Sequence, residues 1–349
     1  MPDGGPTGAA PVLQVHPSRR CNLSCGHCYS SSGPRADDAL PKSLLLGAIR
    51  DAASLGYEQV SVSGGEPLLS PDLHAILRRA RALEMTTSVT TNGLLLGQSR
   101  RWERLAPLVD ALAISIDGTA TEHDALRGRA GAHAQTVRNL EAVRATGTPF
   151  GFLTTLTQFN AASLESVVRL AAAEGARSVQ VHPLTATGRA AEQLAGHQPD
   201  AIELTAAIIE AARLGAAHGV AVHVDALTTD QLTLYRGDLV PPFPARTVTE
   251  LAPVLIVEAD GLVRPLTHGL PDDLLIGTLH GAPLRQLMRE WQRSDRARAL
   301  ASACDRAWWA LSAPDAAPAA YWYDEVAAQA TAALGPTATT LGAALPMAA

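Results

Sequence analysis

The stretch RRCNLSCGHCYS, Arg19 to Ser30, decides how the chain is read. It holds Cys21, Cys25 and Cys28 in the spacing C-x3-C-x2-C, three of the 4 cysteines in 349 residues. Thiolates are soft ligands that suit iron–sulfur clusters, zinc or copper, and short spacers let one loop wrap a single inorganic centre. A [4Fe-4S] cube ordinarily takes four thiolates; three would leave one iron open, as a catalytic metal site requires. His27 or His16 could instead complete a Cys3His zinc site. A disulfide framework suits so long a chain with so few cysteines poorly, and Cys304 reads as a lone thiol.

Working outward, Val12 to His16 reads as a short strand that delivers this loop. Downstream, helical and β-like segments alternate: helices at 44–55, 73–83, 102–108, 133–145, 164–173 and 201–218, strands at 59–62, 87–91, 111–116, 150–156, 179–182 and 220–224. Such alternation implies parallel β-α units with right-handed crossovers. About six units, fewer than the eight of a closed barrel, predict a partial barrel.

Chemistry in such barrels collects at the carboxyl ends of the strands, and the remaining motifs fall there. Ser63-Gly64-Gly65-Glu66-Pro67 follows the second strand. Paired glycines allow close backbone approach and Glu66 offers a carboxylate to an ammonium group; an ordinary turn with a solvated glutamate is the plain alternative. Thr91-Asn92-Gly93 ends the third strand, where Asn-Gly also makes a turn. Ser115-Ile116-Asp117-Gly118 ends the fourth, with Ser115 and Asp117 on one side; Asp117 also reads as a loop cap. The fifth strand ends in TTLTQFN, which includes Thr154 and Asn160. Gly188-Arg189-Ala190 follows the sixth, where a guanidinium would suit a carboxylate or simply lie at the surface.

In this order, C-x3-C-x2-C, GGEP, SIDG and GRA resemble the radical S-adenosylmethionine (radical SAM) enzymes over roughly Val12 to Ala226. The resemblance implies an α/β fold built on a partial (β/α)6 barrel, one [4Fe-4S] cluster on Cys21, Cys25 and Cys28, and SAM on the open iron. It implies reductive cleavage of SAM to a 5′-deoxyadenosyl radical that takes hydrogen from a substrate, with a flavodoxin-type reductase as electron donor. It assigns Gly64, Gly65, Glu66 and Pro67 to the amino end of SAM and adds Asn92 to the cofactor contacts. Ser115 and Asp117 fall to the ribose, Thr154 and Asn160 to adenine and ribose, Arg189 to the SAM carboxylate, and His27 to the adenine face. His27 to Ser30, HCYS, resembles the branch that modifies ribosomally made peptides, so a peptide is the first substrate expectation. A small metabolite such as a sugar nucleotide is the second, and a non-catalytic iron–sulfur or zinc protein the reading of another class; a SAM-pocket motif set argues against the last.

From Thr228 the alternation stops. A hairpin pattern at 254–258 and 262–266 around Ala259-Asp260-Gly261, then a helix at 282–293, resembles the SPASM or twitch extension of these enzymes. Leu266 stands where that extension carries a hairpin cysteine, and one remaining thiol cannot hold an auxiliary cluster. The organisation expected is a flexible leader at 1–11, a core at 12–226, a cluster-free, small α+β SPASM-like cap at 227–311 and an Ala/Pro-rich tail at 312–349. The tail carries the aromatic island Tyr321-Trp322-Tyr323, as a short helix or a mobile end.

Hydrophobic content of 47%, charged content of 18% and a formal net charge of -6 describe a globular chain with a full core and argue against general nucleic-acid binding. Neither a signal peptide nor an apolar run of about 18 residues is present, so no membrane partner is expected. Free thiols and an oxygen-sensitive cluster fit a cytoplasmic, reducing setting.

Overall fold

The computed structural model describes residues 10–97 and 100–334; most of the expected leader and residues 335–349 of the tail lie outside them. Seven strands run parallel and neighbour one another in chain order: β1 (Val12–Val15), β2 (Gln59–Val62), β3 (Thr86–Thr91), β4 (Ala111–Ser115), β5 (Phe150–Leu156), β6 (Ser178–Pro183) and β7 (Ala221–Val224). β3, TTSVTT, is rich in branched side chains that favour a pleated backbone, and β5 alternates buried and half-buried positions along its whole length. The crossover helices turn apolar stripes onto this sheet. Helix Leu73–Arg81 buries Leu73, Ile76, Leu77 and Ala80, the i, i+3, i+4, i+7 face, while Arg78, Arg79 and Arg81 crowd its last turn. Each such aliphatic side chain contributes about 1.5–3 kcal/mol on burial, so the alternation of elements is held mainly by this interface.

Helix Ala120–Arg127 follows β4 and was not apparent from the apolar spacing, because ATEHDALR has no clear stripe. Its start is written in local chemistry: Thr119 accepts from the Glu122 backbone while the Glu122 carboxylate accepts from the Thr119 N–H. This helix brings His123 and Arg127 under the cysteine loop.

Beyond β7 come β8 (Leu227–Thr228), β9 (Val254–Val257), β10 (Leu262–Pro265), β11 (Gly277–Thr278) and β12 (Ala319–Ala320). The hairpin expected from the sequence is β9 and β10, but it does not stand apart as a cap. β9 pairs in parallel with β1, Val12 with Val254 through Val15 with Val257, so one sheet runs β11-β10-β9-β1-β2-β3-β4-β5-β6-β7. The open wall is thereby widened on the β1 side, and the residue after β9 lies at the same end as the cysteine loop.

Helix Leu284–Gln292 buries Leu284, Met288 and Trp291, and the Arg285 N–H donates to Asp51 on helix Lys42–Ser54. Helix Asp295–Leu311 places Cys304 in the core, where burial pushes its thiol up to about 12. The aromatic island opens helix Trp322–Leu334, and β12 pairs antiparallel with β8, so this part of the tail is docked. Among the described residues no helix is long and apolar enough to cross a membrane.

Candidate functional site

The loop between β1 and helix Lys42–Ser54 folds back on itself: Cys21 N–H donates to Gly33 C=O at 3.1 Å and Cys28 N–H to Cys25 C=O at 3.3 Å. Cys21 and Cys25 are buried and Cys28 half-buried, packed with Leu23, Leu94 and Ala132. The three thiols therefore share one small apolar nest.

The glycines of the GGEP segment grip this loop from below. Gly65 N–H donates to Ser18 C=O and Glu66 N–H to Arg20 C=O, both at 2.9 Å. A Cβ on Gly65 would lie 2.2 Å from the Arg20 carbonyl oxygen, so no side chain fits. Gly188 meets the loop from the other side, where a Cβ would fall 2.1 Å from the Tyr29 carbonyl oxygen. Pro67 opens a short 3-10 turn behind Glu66.

Arg189 is put to a different use from the one the motif implies. Its backbone N–H donates to Cys28 C=O at 3.0 Å, and its guanidinium donates to the carbonyls of Cys25 and Ser32, each at 2.8 Å. The fork expected to meet a SAM carboxylate clamps the cysteine loop with two of its N–H groups. Glu66 is likewise engaged. Oε1 accepts from Leu68 N–H at 3.0 Å and from the Thr91 hydroxyl at 2.7 Å, and Oε2 accepts from Asn92 N–H at 2.9 Å. With all three donors satisfied inside the protein, this carboxylate ties the end of β2 to the end of β3, while burial pushes it up from the ordinary carboxylate range.

Asn92 reaches the nest itself: its amide donates to Asn22 Oδ1 at 2.8 Å and approaches Cys21 Sγ at 3.8 Å. Asp117, expected to face a ribose, is fully buried. Its Oδ2 accepts from Arg127 Nε at 2.6 Å and its Oδ1 from Thr155 N–H at 3.0 Å. Burial alone would raise this carboxyl, but the charges of Arg127, His27 and His123 hold it well below the usual range. Thr154 spends its hydroxyl on Ile116 C=O, and Asn160 spends both amide hydrogens on Asp117 C=O and Thr155 C=O. These two side chains lock the ends of β4 and β5 together. Ser115 differs: it is buried at the end of β4, and among the described residues its hydroxyl has no hydrogen-bond partner within the protein.

His27 lies beneath the loop with Nε2 3.9 Å from Asp117 Oδ2, and burial lowers its imidazole to about 4. Its Nδ1 is buried without a hydrogen-bond partner among the described residues. Arg127, which carries no motif in the sequence, presents Nη1 4.0 Å from Cys25 Sγ. Asp117, Arg127 and Cys25 thus form a line in which the carboxylate neutralises a buried guanidinium that faces sulfur.

The residues present fit an iron–sulfur cluster with SAM. Burial pushes the Cys21 thiol up to about 12 and raises Cys25, so thiolates in this nest need a cationic core to hold them. The orphaned His27 nitrogen leaves a polar atom for a small molecule beside that core. Two more pairs lie near the nest: Tyr29 with His16, and Glu258 with His268; of these, Glu258 and His268 carry no sequence motif that would single them out.

Residues 15–171 match the family described as the Radical SAM superfamily. The chain is 35% identical over 184 residues to the "Pre-heme d1 synthase" of Dinoroseobacter shibae, covering 51% of this chain and 45% of that protein. It is 30% identical over 173 residues to "Sporulation killing factor maturation protein SkfB" of Bacillus subtilis, covering 49% of this chain and 42% of that one. The chain therefore spans less than half the length of either relative. Among solved structures, Streptococcus suis SuiB bound to precursor peptide SuiA superposes with a TM-score of 0.67 at 16% identity, covering 84% of this chain and 67% of that chain, a likeness of fold. Family members use a [4Fe-4S] cluster and SAM, the pair that the cysteine nest and its glycine cradle suit. In its cysteine loop and parallel α/β sheet, and over residues 15–171 of its length, this chain is similar to the radical SAM superfamily.

Proposed function

We propose that the chain is a radical SAM enzyme acting on one residue of a peptide held between the cysteine loop and the C-terminal hairpin. The observation that carries this reading is an open cavity of about 280 Å³ whose walls include Arg19, Tyr29, Gly188, Glu258, Arg264 and His268. It is smaller than the roughly 300–1,000 Å³ of pockets that enclose a whole drug-sized molecule, and its charged rim suits a side chain delivered by a longer substrate. The HCYS string and the fold shared with a peptide-bound enzyme support the same reading.

Cys21, Cys25 and Cys28 would hold the cluster, and when bound with SAM it supplies the single electron and the radical that the family uses. The protein's own work is positional. Arg189 and the Gly64-Gly65 pair fix the loop backbone, Arg127 sets positive charge beside Cys25, and Ser115 offers its hydroxyl to the ribose. The hairpin wall limits water at the cavity and sets which substrate atom comes near.

A tetrapyrrole substrate is the second reading, favoured by similarity to the pre-heme d1 synthase. The two separate in one assay of 5′-deoxyadenosine release. A low-molecular-mass fraction of host extract is added before and after protease digestion, with iron coproporphyrin III in a parallel sample. Stimulation that protease abolishes supports the peptide; stimulation by the porphyrin, or by the digested fraction, contradicts it.

A further inference from the structure

Beside the cysteine nest, and using none of its thiols, His16, Glu258 and His268 bring two imidazole nitrogens and a carboxylate within 4.8 Å of one another. The fold sets this convergence. His16 follows β1 and Glu258 follows β9, and those strands pair in register, while His268 lies just past β10, the antiparallel partner of β9. Glu258 Oε2 lies 2.8 Å from His16 Nδ1, and its Oε1 lies 2.8 Å from His268 Nδ1. His16 is buried, Glu258 nearly so, and the His268 side chain keeps 18% of its surface open where it borders the cavity.

Ligand atoms held about 2.1 Å from one ion stand about 3 Å apart at the right angles of an octahedral shell and about 3.4 Å apart in a tetrahedral one. The two 2.8 Å contacts therefore have the length of coordination edges as well as of hydrogen bonds. The surrounding groups suit an ion. Gln14 Nε2 lies 3.0 Å from the other nitrogen of His16 and the Tyr29 hydroxyl 3.3 Å from it. When Nδ1 binds a metal the imidazole proton sits on Nε2, and a turned Gln14 amide or the Tyr29 oxygen accepts it, which fixes the ring. Arg264, the nearest cation at 3.8 Å from Glu258 Oε1, is drawn away by Asp272 at 2.9 Å.

We propose that His16, Glu258 and His268 form a site for a divalent first-row cation, Zn2+ or Fe2+, with open coordination positions toward the cavity. Two imidazoles and a carboxylate are the donor set such ions take, and an oxygen of the substrate would complete the shell. This site goes beyond the radical reading: it shares Glu258 and His268 with the cavity wall but uses none of the three thiols, so its failure would leave the cysteine loop untouched.

The test uses the full chain with Cys21, Cys25 and Cys28 all changed to Ala, stripped with chelator and titrated with Co2+. The expected result is one Co2+ per chain, with ligand-field bands and without a thiolate charge-transfer band, displaced by Zn2+. Binding should weaken more than about tenfold in His268→Ala and in Glu258→Gln. No binding by a chain with unchanged circular dichroism, or binding indifferent to both substitutions, overturns the proposal. Should the triple variant not fold, reconstituted wild type loaded with Zn2+ should carry one zinc beyond its cluster iron, and His268→Ala none. An equal zinc content in the two overturns it.

Discussion

Gly65 leaves no room for a methyl group, because the Arg20 carbonyl oxygen would lie 2.2 Å from its Cβ. Gly65→Ala must therefore push the Arg19-Arg20 backbone away and spread the thiols. Its far-UV circular dichroism should match wild type while reconstitution yields well under the about four irons of one cube; full iron loading would contradict the cradle. Glu66 makes a second case. Its two oxygens receive two backbone N–H groups and a hydroxyl, so Glu66→Gln turns an amide NH2 against a donor. A loss of about 1–3 kcal/mol is expected, read as a lower melting temperature; an unchanged one would show that the carboxylate is not a strut. The cysteine spacing and the order of the motifs were legible because each is local. What Glu66, Thr154, Asn160 and Arg189 do was not, since a side chain's partners depend on which strand ends the fold sets side by side. Arg127 escaped notice for the same reason: its partners, Asp117 and Cys25, meet it only once helix Ala120–Arg127 has turned.

At the scale of elements, β2, β5 and helix Ala201–His218 have the bounds that their local pattern gives, and β9 with β10 is the hairpin that Asp260-Gly261 announces. The pairing of β9 with β1 was invisible, because a parallel register is set by a free sheet edge and not by a turn. Helix Trp322–Leu334 also docks more firmly than its Ala-rich sequence suggested, burying Trp322, Val326 and Ala330. Docking is expected to depend on pH. Burial raises the Asp324 carboxyl from 3.8 to about 6, so folding favours its protonated form. Its stabilising contribution is complete below about 3.8 and is lost as pH rises through about 6. Asp324→Asn should therefore raise stability at pH 7.5 by about 1 kcal/mol and change it little at low pH. Equal melting-temperature differences from wild type at pH 4 and pH 7.5 would show that Asp324 does not titrate in this window.

For the whole molecule, the parallel wall does one thing that no single element can: it delivers the cysteine loop, the glycine cradle, Ser115 and the hairpin to a common end of the sheet. The central claim is that this end cleaves SAM by means of the three thiols. The decisive measurement is 5′-deoxyadenosine release by anaerobically reconstituted, dithionite-reduced protein given SAM, with iron, sulfide and zinc counted in the same sample and Cys25→Ala run beside it. The account predicts about four irons per chain and release by the wild type, with neither in Cys25→Ala. Release by Cys25→Ala, or a wild-type loop filled with zinc and inert toward SAM, would contradict it.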